Sequence, residues 1–72
     1  MIAQQKITVF ANGQAKQIGG ATTLGALATS FNLPHQMVLV ELNGHALLRD
    51  EWPDKILSHG DRVEFIKVVA GG

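Results

Sequence analysis

Lys6-Ile7-Thr8-Val9-Phe10-Ala11-Asn12-Gly13-Gln14-Ala15-Lys16-Gln17-Ile18 is the stretch whose reading decides the fold. Ile7, Thr8, Val9 and Phe10 are β-branched or aromatic, the residue types that fit a pleated, half-buried surface. Asn12-Gly13 follows at once, and both residues tolerate the positive φ that a two-residue hairpin turn demands. The expectation is a strand over 6–11 that returns antiparallel over 14–18.

Working outward, Gly19-Gly20-Ala21 breaks the second strand, and Thr22 or Thr23 can cap a helix by accepting from its first free amides. Leu24, Leu27, Ala28 and Phe31 then recur at i, i+3, i+4 and i+7, one apolar stripe on one helical face. Such a helix packs on something flat. Gly25 weakens it by about 1 kcal/mol relative to alanine, so packing rather than propensity holds it. Asn32 and Pro34 mark its end. Met37 to Leu42 reads as a third strand, Asn43-Gly44 as a second hairpin turn, and Ala46-Leu47-Leu48 as its short partner. Arg49-Asp50-Glu51-Trp52-Pro53-Asp54 is too polar and proline-broken for a strand, which predicts a connecting loop with a helical turn and Trp52 plugging the bottom of the core. After the turn Ser58-His59-Gly60-Asp61, residues 62–69 form the last strand.

The order is hairpin, helix, hairpin, loop, strand. The first and last strands are the most apolar, which places them side by side at the sheet centre with the helix across one face. The fold class expected is α+β, a mixed sheet of four to five strands gripping one helix: the β-grasp architecture of ubiquitin-like proteins. Side chains alternate along a strand, so Val63 and Phe65 share one face while Glu64, Ile66 and Val68 share the other. Ile66 and Val68 are therefore candidates for an exposed partner-docking surface.

Seventy-two residues are enough for one hydrophobic core, so the chain is read as a single domain over 1–72. A domain of this size buries only about 60% of the surface its unfolded chain exposes, which leaves little apolar material to line a deep substrate pocket. Six basic residues balance six acidic ones, so there is no broad positive field to hold a phosphate backbone, and nucleic acid is excluded as the expected partner. The first residues lack the features of a secretory signal and no apolar run is long enough to span a bilayer, so the expectation is a cytoplasmic protein without membrane contact. There is no cysteine, which removes disulfides, thiolate metal sites and thiol nucleophiles together.

His35, His45 and His59 fall in or beside turns with no i, i+4 pairing, and read as solvated histidines rather than metal ligands. Asp50, Glu51 and Asp54 lie beside Arg49 and Lys55, as in a solvated loop with surface ion pairs. Gly19-Gly20-Ala21-Thr22-Thr23 lacks the lysine and spacing of a phosphate-binding loop and reads as a capping turn. Ser30 and Ser58 have no histidine and acid partners in the order of a triad. None of these constellations has the make-up of a catalytic centre, so the chain is expected not to be an enzyme and to bind no metal or cofactor itself.

What remains is the end of the chain, Gly71-Gly72, directly after the apolar last strand. Two glycines without Cβ atoms make a thin tail, about residues 70–72, expected to be flexible and able to enter a channel that larger residues would block. Its carboxylate is inert until activated. If a partner enzyme attaches AMP to Gly72, the mixed anhydride gives the carbonyl a good leaving group. A sulfur donor can then replace AMP, and the resulting thiocarboxylate is a soft nucleophile able to hand sulfur to an electrophilic carbon.

The ordered set of segments resembles the ThiS-type sulfur carrier proteins of thiamine biosynthesis, a ubiquitin-like family. The resemblance runs through Phe10-Ala11-Asn12-Gly13, the short helix after Thr22-Thr23-Leu24, Val40-Glu41-Leu42-Asn43-Gly44, Leu48-Arg49-Asp50-Glu51-Trp52, His59-Gly60-Asp61-Arg62-Val63-Glu64 and Val68-Val69-Ala70-Gly71-Gly72. It implies that Gly72 is the sulfur-carrying residue and that Gly71 gives the tail access to partner active sites. It further implies an ATP-using, ubiquitin-activating-enzyme-like adenylyltransferase (ThiF type), a sulfurtransferase supplied by a cysteine desulfurase, and a thiazole synthase (ThiG type) that receives the sulfur for the thiazole ring. The chain would then be a co-substrate of its partners. The small subunit of molybdopterin synthase, a sulfur carrier for the molybdenum cofactor, shares the fold and the diglycine end, and a ubiquitin-like protein modifier is the other alternative.

Overall fold

The computed structural model describes residues 5–68, and Gly71 and Gly72 lie outside the described residues. Five strands form one mixed sheet: β1 (Lys6–Ala11), β2 (Gln14–Gly19), β3 (Val38–Leu42), β4 (His45–Leu47) and β5 (Arg62–Lys67). Their order across the sheet is β2-β1-β5-β3-β4. β1 pairs with β2 and β3 with β4 as antiparallel hairpins, while β5 runs parallel to β1 and antiparallel to β3. The last strand thus fills the gap between two hairpins. The α-helix among the described residues, α1 (Leu24–Ser30), packs across one face.

Both hairpin turns follow from their Asn-Gly pairs. Asn12 and Gly13 have φ of 48° and 83°, and Asn43 and Gly44 have 52° and 84°, so both central residues of each turn sit in the left-handed region. That backbone twist matches the twist of the flanking strands, which types I and II would splay. Thr23 is the residue that caps α1, its Oγ1 accepting from Ala26 N at 3.1 Å. Asn32, with φ of 57°, ends the helix in the left-handed conformation usually supplied by glycine. Gly20 is fixed by a close approach, since a Cβ there would lie 2.7 Å from the carbonyl oxygen of Gln5.

Val9, Val38, Val40, Leu42 and Val63 project from the sheet onto Leu24, Leu27 and Ala28 of α1, and Trp52 and Leu57 close the core. Trp52 is 2% exposed and sits on a 3-10 helix, Arg49–Asp54, whose first turn is closed by Leu48 N donating to Glu51 Oε1 at 2.8 Å. The start of α1 is tied to the next connection by Leu24 N donating to Lys55 O and Leu57 N to Thr22 O.

Element limits differ from the sequence reading at several places: β2 takes in Gly19, which pairs with Lys6, and β5 ends at Lys67 with Val68 outside the strand. α1 stops at Ser30, and Phe31 forms its C-cap, half-buried, instead of extending the stripe. Met37 closes a short 3-10 turn over His35–Met37, because Met37 N bonds back to Pro34 O; β3 therefore begins at Val38. β4 covers His45–Leu47, leaving Leu48 to cap the following 3-10 helix.

Gly25 lies inside α1, and a Cβ on it would meet the backbone of Trp52 at 3.5 Å, an ordinary contact. Gly25→Ala is therefore expected to stabilise the fold by about 0.5–1 kcal/mol through helix propensity and a less free unfolded chain. Urea unfolding reads this as a higher midpoint at unchanged slope.

Candidate functional site

The sheet face opposite α1 carries no covering element among the described residues. Register decides which side chains it presents. Leu39 stands opposite Ile66 across the β3–β5 ladder, and Phe10 lies between the buried Val9 and Ala11, so all three point away from the core. Leu39 is 55% exposed, Ile66 41%, Val68 41% and Phe10 38%. Val68 follows immediately after β5 and its N–H donates to Met37 O at 2.7 Å, which keeps the chain beside the start of β3 to the last described residue. Glu41 and Glu64 oppose each other on the same face. The result is an apolar patch beside two carboxylates, directly before the chain end.

Phe10 and Leu39 were not legible as part of this surface from sequence. Val38-Leu39-Val40 is a continuous apolar run, so no alternation marks which residue faces outward. Only the pairing of Leu39 with Ile66 assigns its side.

β5 is held from both flanks by asparagine side chains of the two turns. Asn12 Oδ1 accepts from Phe65 N at 2.7 Å and its Nδ2 donates to Phe65 O at 3.3 Å, a side-chain amide continuing the β1–β5 ladder where the β1 backbone has turned away. On the other side Asn43 Oδ1 accepts from Arg62 N at 2.9 Å, and its Nδ2 donates to Asp61 Oδ1 at 3.0 Å. The turn residues thus also position the strand that leads to Gly71 and Gly72. Asn12→Ala is expected to lower stability by about 1–3 kcal/mol, from lost hydrogen bonds and a strained positive φ. Asn12→Gly, which keeps the φ, should lose only about 1 kcal/mol, and equal losses in the two variants under urea would show that the clamp contributes nothing.

His59 is engaged in the fold. Its Nδ1 accepts from Thr8 N at 3.0 Å, while Gly60 N donates to Thr8 O at 2.7 Å, so the imidazole begins the β1–β5 junction. His45 lies exposed on β4. Among the described residues, no group of three or more histidine, cysteine or acidic side chains is gathered as a metal would need. No helix among them is long and apolar enough to cross a membrane.

The model of the ThiS family matches residues 5–72, from β1 through the diglycine end. The chain belongs to the ThiS family. Its members are small sulfur carriers of thiamine biosynthesis rather than catalysts, with the ubiquitin-like β-grasp fold described above. The chain is similar to the thiamine biosynthesis protein (ThiS) of Geobacter metallireducens in its crystal structure, with 26% identity, a TM-score of 0.78, and coverage of 92% of this chain and 100% of that one. An NMR solution structure of a Geobacter metallireducens thiamine biosynthesis protein gives 29% identity and a TM-score of 0.72, covering 92% of this chain and 88% of that one. Among curated proteins, the uncharacterized protein ycf40 of Trieres chinensis is 26% identical over 65 residues, 90% of this chain and 89% of that protein.

Proposed function

We propose that this ThiS-family chain carries sulfur as a thiocarboxylate on Gly72 and donates it to the thiazole ring of thiamine. The observation that carries this reading is the family match running to residue 72, through the two glycines that follow the clamped strand β5. In the first step the Gly72 carboxylate attacks the α-phosphorus of ATP on a ThiF-type adenylyltransferase and pyrophosphate leaves. Hydrosulfide displaces AMP to give the thiocarboxylate directly. Sulfur delivered as a sulfurtransferase persulfide displaces AMP to give an acyl disulfide, whose S–S bond a thiol reductant then cleaves to release the thiocarboxylate. In both cases the anhydride makes phosphate oxygen a better leaving group than a bare carboxylate offers. The thiocarboxylate is next presented to a ThiG-type thiazole synthase. Gly71 supplies a tail slim enough to reach both active sites.

The chain itself contributes no catalytic group, no metal and no bound cofactor; ATP belongs to the adenylyltransferase. Its own contribution is recognition. Phe10, Leu39, Ile66 and Val68 dock the partners through the uncovered sheet face, with Glu41 and Glu64 beside them suiting a basic group on the other side. The ATP requirement fits a cytoplasmic setting.

Sulfur transfer from the purified thiocarboxylate form separates the branches. Consumption by thiazole synthase with formation of the thiazole product is expected, with none by the large subunit of molybdopterin synthase. The reverse preference would move the chain to the molybdenum-cofactor branch, and isopeptide-linked conjugates to lysine would make it a protein modifier.

A further inference from the structure

The helix side of the sheet is only partly covered, because α1 has seven residues and ends at Ser30. Beyond its end lies a cleft of about 390 Å³. Ala11, Val38 and Phe65 line it from β1, β3 and β5, and Phe31 and Leu33 from the segment after α1. Phe31 and Phe65 meet edge to face, with ring centroids 5.6 Å apart and planes at 77°. Among the described residues, the charged ones lining the cleft are both lysines: Lys16 on β2 and Lys67 on β5, the two strands that flank β1. Lys16 Nζ stands 5.6 Å from the centroid of the Phe31 ring. Among the described residues no carboxylate lines the cleft to neutralise either ammonium.

We propose that this cleft is a binding site for a small amphipathic anion, a molecule with a flat apolar body and a carboxylate. The volume falls within the range of small-ligand sites, and an apolar lining with a few placed polar groups is their usual composition. The aromatic pair offers ring edges and faces on which a flat body packs. The two lysines supply the positive charge that selects an anion over a neutral molecule of the same shape. Because side chains alternate along β5, Phe65 and Lys67 face the cleft while Ile66 and Val68 face the docking patch, so ligand and protein partners use opposite sides of one strand.

The test is a titration of the 15N-labelled full chain with 3-phenylpropionate, followed by NMR, with 3-phenylpropanol and inorganic phosphate as separate arms. The expected result is saturating shifts centred on the amides of Phe31, Leu33, Phe65 and Lys67, with a Kd on the order of 1 mM or tighter. The alcohol, lacking charge, and phosphate, lacking an apolar body, should each bind at least about tenfold more weakly. The double variant Lys16→Gln with Lys67→Gln, both exposed positions, should weaken phenylpropionate binding at least about fivefold. Shifts that fail to saturate, equal binding of the alcohol, or an unchanged affinity in the double variant would overturn the proposal. The first two results come from the unaltered chain and do not depend on the variant's folding.

Discussion

Deleting Gly72, or appending a tryptophan after it, is expected to abolish sulfur loading while leaving the fold intact. In the proposed reaction the reacting carbonyl belongs to the backbone, so no side chain can substitute for it. Deletion moves the carboxylate back by one residue, roughly 3.3–3.6 Å of extended chain, and a displacement of about 1 Å from reacting geometry already costs on the order of a hundredfold in rate. Appending tryptophan turns the reactive carboxylate into an amide and ends the tail in a side chain too large for a channel sized to glycine. ATP-dependent pyrophosphate release with the cognate adenylyltransferase is expected to fall by at least about a thousandfold in both variants. An unfolding midpoint equal to that of the parent chain would separate this loss from misfolding. Undiminished turnover by either variant would mean that the terminal acyl group is not the reacting one.

Replacing Leu39 and Ile66 together by aspartate should prevent docking. The two side chains face each other across β3 and β5 and are respectively 55% and 41% exposed, so aspartate at either position stays in water and does not disturb the core. In a complex, however, each charge would be buried without a partner and beside Glu64. Loss of one buried apolar anchor in an interface commonly costs about 2 kcal/mol or more, so KM for the carrier should rise at least about thirtyfold. Turnover at saturating carrier should change little, since neither residue touches the reacting atoms. Ile56→Asp is the matched control: Ile56 is 57% exposed but pairs with Thr23 at the start of α1, away from the patch. A KM unchanged in the double variant, or raised equally in the control, would remove the docking role from this face.

Local signals carried most of the architecture. The strand over Lys6–Ala11, both Asn-Gly turns, a helix beginning at Leu24 and a core tryptophan followed from propensity, turn chemistry and period, because each depends on neighbours a few residues away. The adjacency of the first and last strands followed from their apolar character and the order of elements, while their parallel direction comes from the pairing itself. What escaped depends on register between distant segments. Leu39 sits in an uninterrupted apolar run, and only its pairing with Ile66 turns it outward. Asn12 reads locally as a turn residue, yet its side-chain amide reaches Phe65, 53 positions away. The β4 and 3-10 limits shifted because Glu51 bonds back to Leu48 N, a side-chain cap that competes with extending the strand. The proposed chemistry of the tail rests on a different kind of reading: Gly71-Gly72 is read directly from the sequence, together with the family match that runs to residue 72.

The most direct measurement is fragmentation mass spectrometry of the intact chain after incubation with ATP, a sulfide source and its adenylyltransferase. Replacement of one oxygen by one sulfur, confined to fragments that contain Gly72, is the expected result. Unchanged mass with an adenylyltransferase proven active on its own substrate, or sulfur located anywhere else in the chain, would contradict the carrier role.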